Sequence, residues 1–163
     1  MKKHTVAIAK KMSLQSKIND DLRAALKKKD EKKISVLRLL NSAIKNLLIE
    51  KKLEKEAELE DSEVEKLIRT QIKQLKDAVA DFIAGGRKDL AESNRAEIDI
   101  LSEYLPEGLS EEEIKSIIKS KIEEIGEAIG KDFGRIMGAA MKEIGGRAEG
   151  DEVKRLIEEE LSK

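Results

Sequence analysis

The stretch Asp132–Gly150, DFGRIMGAAMKEIGGRAEG, decides how this chain is read. Phe133, Ile136, Met137, Ala140 and Ile144 recur with the 3.6-residue period of an amphipathic helix, which predicts a helix over 132–144. Inside the same pattern Gly134 and Gly138 stand one turn apart, where each glycine costs about 1 kcal/mol relative to alanine. On a helical wheel the two glycines form a shoulder beside the apolar sector, and Arg135 and Lys142 lie just past it. A backbone is therefore expected to approach the shoulder. On packing grounds alone that backbone is a neighbouring helix of the same chain. The functional alternative is a nucleic-acid sugar-phosphate backbone held by Arg135 and Lys142, with Arg147 joining from the following turn.

Working outward, the same period recurs through the rest of the chain. Leu14, Ile18, Leu22, Ala25 and Leu26 predict a helix opening near Ser13, and Asp30 is a candidate cap for a second one bearing Ile34, Leu37, Asn41, Ile44 and Leu48 on one face. Residues 50–60 hold Leu53 and Leu59 as their large apolar residues and read either as a solvated helical extension or as a mobile connection. Ser62 and Glu65 have capping-box spacing before a third helix with Val64, Ile68, Ile72, Leu75, Val79 and Phe82 on one stripe, ended by Gly85 and Gly86. Asp89 is the expected cap of a fourth helix, which Pro106 terminates. Ser110, the last residue of YLPEGLS, and Glu113 form a further capping box, and that stretch is the best domain boundary in the sequence. The resulting expectation is all-α: a four-helix lobe over 12–105 and a three-helix lobe over 110–163, preceded by a poorly ordered extension at 1–11 with Met12 as an alternative start.

Composition agrees with a helical chain and narrows its chemistry. The 163 residues include no Trp, two Phe and one Tyr, so any core is aliphatic, and 41% of residues are charged. There is no cysteine, hence no disulfide, thiolate nucleophile or cysteine-based metal site, and the single histidine, His4, lies in the extension. No apolar run is long enough to span a bilayer, and the N-terminal apolar segment is too short for a secretory signal. The chain is expected to be cytoplasmic, without a membrane. Its net charge of −1 argues against indiscriminate nucleic-acid binding, but the charge is uneven: residues 1–60 carry 16 Lys/Arg against 9 Asp/Glu, while 61–163 carry 17 against 25.

Motifs of known chemistry are not completed. Asp132, Phe133 and Gly134 spell the metal-binding triplet of protein kinases without the accompanying loops, and GGRKD and GGRAEG fit helix ends better than phosphate loops. No catalytic residue, cofactor site or metal site is assigned. Lys66, Arg69, Lys73 and Lys76 fall in one sector of the third helix, opposite its apolar stripe, and could track a phosphate backbone. With Glu65, Asp77 and Asp81 nearby, an ordinary solvated face is the plainer account. Scarcity of aromatic residues weighs against single-strand stacking and leaves shape recognition of folded RNA open.

Three segments, SLQSKINDDLRAALKKKDEKKISVLRLLNSAIKN, QIKQLKDAVADFIAGGRKDLAESNRAEIDILSEYLP and DFGRIMGAAMKEIGGRAEGDEVKRLIEEEL, make the chain resemble the GatB/YqeY family over roughly residues 12–162. The last is also similar to the C-terminal tail of the GatB component of aspartyl/glutamyl-tRNA amidotransferase, departing from it at Glu149 and Gly150. The resemblance implies two all-helical subdomains and a tail that contacts the tRNA body. It also implies a link to carbon–nitrogen ligase activity with glutamine as amide-nitrogen donor. Carried onto this sequence, it points to Lys73, Lys76, Arg87, Arg135, Lys142 and Arg147 as phosphate contacts, with Gly134 and Gly138 permitting close approach. The leading expectation is a tRNA-binding accessory module without its own catalytic centre, associated with amidotransferase or translation complexes. A protein-docking module and an amidotransferase activity carried by the chain itself remain the alternatives.

Overall fold

The computed structural model describes residues 11–126 and 132–163, so the extension expected at 1–11 lies, Lys11 apart, outside the described residues. Among these residues the structure is all-helical: α1 (Leu14–Lys28), α2 (Glu31–Glu50), α3 (Asp61–Ala84), α4 (Lys88–Ser102), α5 (Glu111–Ile125), α6 (Phe133–Ile144) and α7 (Gly150–Leu161). The chain divides into two compact units, one ending at Leu105 and the other beginning at Pro106.

In the first unit α2 packs against α1, α3 and α4, and α3 pairs most extensively with α4. Ile18, Leu37, Ile44 and Ile68, on the expected stripes, are completely or almost completely removed from water, and Leu40 and Leu101 join them. Burying each such side chain contributes about 1.5–3 kcal/mol. Ser13 and Asp30 cap α1 and α2 through their side chains, accepting from the Ser16 and Lys33 amides at 3.1 Å each. Satisfying those otherwise orphaned donors is what fixes both starts.

Two expected helix starts shift. α3 begins at Asp61, with Glu60 and Glu63 in place of Ser62 and Glu65 as the box, because the Asp61 carboxylate accepts from the Leu14 amide at 2.8 Å and draws the first turn onto α1. α4 begins at Lys88 with Arg87 as its cap residue, so Asp89 lies inside the first turn. The cause is the tight exit from α3. Gly86, at φ +72°, lets the Arg87 amide donate back to the Phe82 carbonyl at 2.8 Å, and the chain re-enters a helix at once. The connection 51–60 is neither helical nor loose at its end. Leu59 is buried, and Gln15 holds the segment by accepting from the Leu59 amide at 3.0 Å and donating to the Ala57 carbonyl at 3.4 Å.

The second unit packs α5, α6 and α7 each against the other two around Ile114, Ile118, Ile136, Ala140, Ile144, Val153, Leu156 and Ile157. α5 opens with the expected box: the Glu113 carboxylate accepts from the Ser110 amide at 2.8 Å while the Ser110 hydroxyl accepts from the Glu113 amide at 3.3 Å. Those bonds hold the Glu113 carboxyl below its ordinary range. Lys51, Lys115 and Lys163 do the same for Glu63, Glu111 and Glu160.

The first unit is pinned at one polar point. Tyr104, buried at the end of α4, donates its phenol to Asp21 Oδ2 of α1 at 2.6 Å, with Lys17 Nζ 5.5 Å from its ring centroid. Burial, then the Asp21 carboxylate, raise the phenol far above its ordinary range, so it stays a donor at any working pH. Tyr104→Phe leaves the ring in place and removes this charge-assisted bond, and urea unfolding is expected to show a loss of about 1.5–3 kcal/mol. The depressed carboxyls carry a second expectation. Their stabilisation is present above the ordinary carboxyl value of 4.5 and is lost as pH falls through the lower folded values. The urea midpoint should therefore fall on acidification below about pH 4.5, and less steeply in Glu113→Gln.

Candidate nucleic-acid interface

α6 is positioned by its own two ends and by one buried face. The Asp132 side chain accepts from the Arg135 amide at 3.4 Å, and Gly145, at φ +59°, closes the helix with its amide on the Met141 carbonyl at 3.1 Å. Ile136, Ala140 and Ile144 turn fully inward, with Phe133 and Met137 at the edge of the core. Outward, exposed Gly134, Arg135, Gly138 and Lys142 form one stripe, with exposed Glu143 beside it. Arg135 and Lys142 are seven residues apart, which places their backbone origins about 10 Å apart along the axis with Gly138 between them.

Among the described residues no neighbouring helix fills the glycine shoulder, against the expectation from packing. A Cβ on Gly138 would have no described atom within 4 Å, and one on Gly134 would meet only the Asp132 Oδ1 atom at 3.5 Å, an ordinary contact. Neither glycine has a positive φ. Within the described residues, neither packing nor backbone conformation calls for glycine at 138.

The electrostatics of the stripe are simple. Glu143, beside Lys142, is drawn to Lys121 at 3.6 Å, and Lys121 is held in turn by Glu124 at 3.0 Å, which with Glu143 raises its ammonium above the usual range. Among the described residues no carboxylate forms an ion pair with Arg135 or Lys142.

Arg147 does not join them. Its guanidinium folds back to donate to the Ile144 carbonyl at 3.1 Å and the Glu143 carbonyl at 3.5 Å, satisfying the end of α6, while its own carbonyl accepts from the Leu109 amide at 2.9 Å. Arg87 is also engaged: its fork grips the Asp89 carboxylate at 3.2 and 3.1 Å and holds that carboxyl below its ordinary range. Lys73 and Lys76 are exposed on α3, in line with exposed Lys66, while Arg69 between them pairs with Glu65 at 3.3 Å and is partly buried. The basic positions thus belong to separate units, with Lys73, Lys76 and Arg87 in the first and the glycine stripe in the second. A basic and apolar outer face on α2, around Arg38, Lys45, Leu39 and Ile49, was not anticipated. Its signal in the sequence is that Leu39 and Ile49 stand off the periodic core stripe.

Two small helical bundles, an aliphatic core and a glycine-rich helix with paired cations define the class of protein: an all-helical chain of two subdomains. The chain belongs to the family described as Yqey-like protein, whose family model matches residues 15–161. It is also 31% identical over 90 residues to "Altered inheritance of mitochondria protein 41, mitochondrial" of Candida glabrata, across 55% of this chain and 48% of that protein. The match thus spans about half the length of this curated relative. No helix among the described residues is long and apolar enough to cross a membrane.

The open stripe makes a direct prediction. Gly138→Ala adds a methyl group into free space and improves helix propensity, so it is expected to stabilise the protein by up to about 1 kcal/mol in urea unfolding. Destabilisation instead would mean that something within the chain occupies the shoulder.

Proposed function

We propose that this chain is a cytoplasmic helical accessory module that binds the body of tRNA through the exposed stripe of α6, in association with tRNA-dependent amidotransferase systems. In those systems glutamine supplies the amide nitrogen for carbon–nitrogen bond formation, and here that chemistry is assigned to partner proteins. The observation that carries the reading is the uncovered glycine shoulder at Gly134 and Gly138, flanked by Arg135 and Lys142, which have no ion-pair partner among the described residues. A phosphodiester backbone needs a bare surface for close approach and cations on either side to replace its counterions. The likeness of Asp132–Leu161 to the GatB tail of the amidotransferase supports the choice of tRNA among folded RNAs.

Roles within the site differ. Arg135 and Lys142 make the phosphate contacts, and Gly134 and Gly138 allow the approach. Arg147 acts chiefly by holding the end of α6, from which its guanidinium can reach an anion only by giving up two carbonyls. Lys73 and Lys76 would add further phosphate contacts from the first unit, and Arg87 is held by Asp89.

A shift assay with bulk tRNA across a salt series tests this. Saturable binding at low salt is expected, weakening linearly in log–log form as salt rises. Arg135→Ala with Lys142→Ala should weaken binding and reduce the salt slope by about 2. Gly138→Ala, which leaves the fold intact, should also weaken it. Equal binding by all three proteins would remove the α6 stripe as the site.

A further inference from the structure

The outer face of α2 carries an unused surface that the tRNA reading does not involve. α2 touches the three other helices of its unit with its inner face, yet Leu39 and Ile49 on its outer face are 62% and 70% exposed. Ten residues, about 15 Å of helix, separate them, and the sector between them is filled by exposed Ser42 and Asn46. Ser42 spends its hydroxyl on the Arg38 carbonyl of its own helix at 3.0 Å, so it presents little more than a small flat surface. Along one flank run exposed Arg38 and Lys45, seven residues apart, neither in an ion pair among the described residues. At its start this face continues into a shallow groove of about 370 Å³ lined by Leu26, Glu31, Ile34, Ser35 and Arg38. Residues 27–52 hold nine Lys/Arg against three Asp/Glu, in a chain whose net charge is −1.

We propose that this face docks an acidic amphipathic helix of a partner protein. The partner's apolar side chains would lie between Leu39 and Ile49 over Ser42, and its carboxylates would face Arg38 and Lys45. Charge and shape decide among occupants. A second copy of α2 paired about a two-fold axis between Leu39 and Ile49 brings the Arg38–Lys45 flank against itself. A phosphate backbone uses the cations but leaves two large apolar side chains facing a polar ligand. A lipid surface requires a continuous apolar sector, which Ser35, Ser42 and Asn46 interrupt.

A benzophenone amino acid in place of Ser42, in the full chain in the cells that make it, tests the proposal on irradiation. The expected product is an adduct to a protein segment that is net acidic with apolar residues at helical i, i+3/i+4, i+7 spacing. It should disappear with Arg38→Glu/Lys45→Glu and persist with Arg135→Ala/Lys142→Ala. Leu39→Ser/Ile49→Ser, which removes exposed side chains alone, should also abolish it and guards against misfolding of the charge-reversed chain. An adduct to RNA, lipid, a second copy or a basic segment overturns the proposal. So does no adduct, or one that survives both sets of α2 substitutions.

Discussion

Burial of aliphatic side chains along one face of each helix is the constraint on which everything else depends. Without Trp, and with a single buried aromatic in Tyr104, the two cores are built from Ile, Leu, Val and Ala, and among the described residues no polar side chain is buried apart from that tyrosine's phenol. Such cores have no internal polar network to specify geometry, so specification passes to helix ends. Asp30, Ser110 and Asp132 cap, Gly86 and Gly145 terminate, and Gln15 ties a connection down. The Tyr104–Asp21 bond is the exception, a directional contact across 83 residues of sequence.

Because the inner faces are committed to packing, function has to be written on the outer ones. Most of those faces are ordinary: Lys115, Glu111, Arg155 and Glu159 link α5 to α7 in a solvated ion-pair cluster, where each pair contributes little. The α6 stripe is different in kind, since its glycines lower helix propensity without serving a backbone or packing need among the described residues. A feature that weakens the fold and is not repaid among the described residues is the ground on which an interaction outside the chain is proposed.

The helical class, the opening of α1, the capping of α2 and α5, and the inward residues of α6 were legible because a 3.6-residue period and its punctuation are local signals. The starts of α3 and α4 were not. At α3 a long-range bond from the Leu14 amide to Asp61 decided between two boxes of equal spacing. At α4 the αL glycine compressed the turn more than the Asp89 pattern suggested. The 51–60 connection misled for a related reason: ten mostly polar residues conceal one buried anchor, Leu59, whose partner Gln15 is 44 positions away. At the candidate site the wheel placed Gly134, Arg135, Gly138 and Lys142 together, but it could not show that the shoulder is uncovered, nor that Arg87 and Arg147 are already engaged. Engagement of a cation depends on tertiary neighbours, and sequence gives only its position on a face.

The distribution of positive charge follows the same logic. A cation tied to a helix end, as Arg147 is, stabilises the fold and loses that stabilisation if it turns to a ligand, so its contribution to binding is the small difference between two favourable states. A cation such as Arg135 or Lys142, with no ion-pair partner among the described residues, gives up only water and rotamer freedom when it meets a phosphate. Two such charges beside an open backbone are therefore better candidates for recognition than a cation already held by a carboxylate. On that ground the α6 stripe outranks the α3 row, where Arg69 is already matched by Glu65.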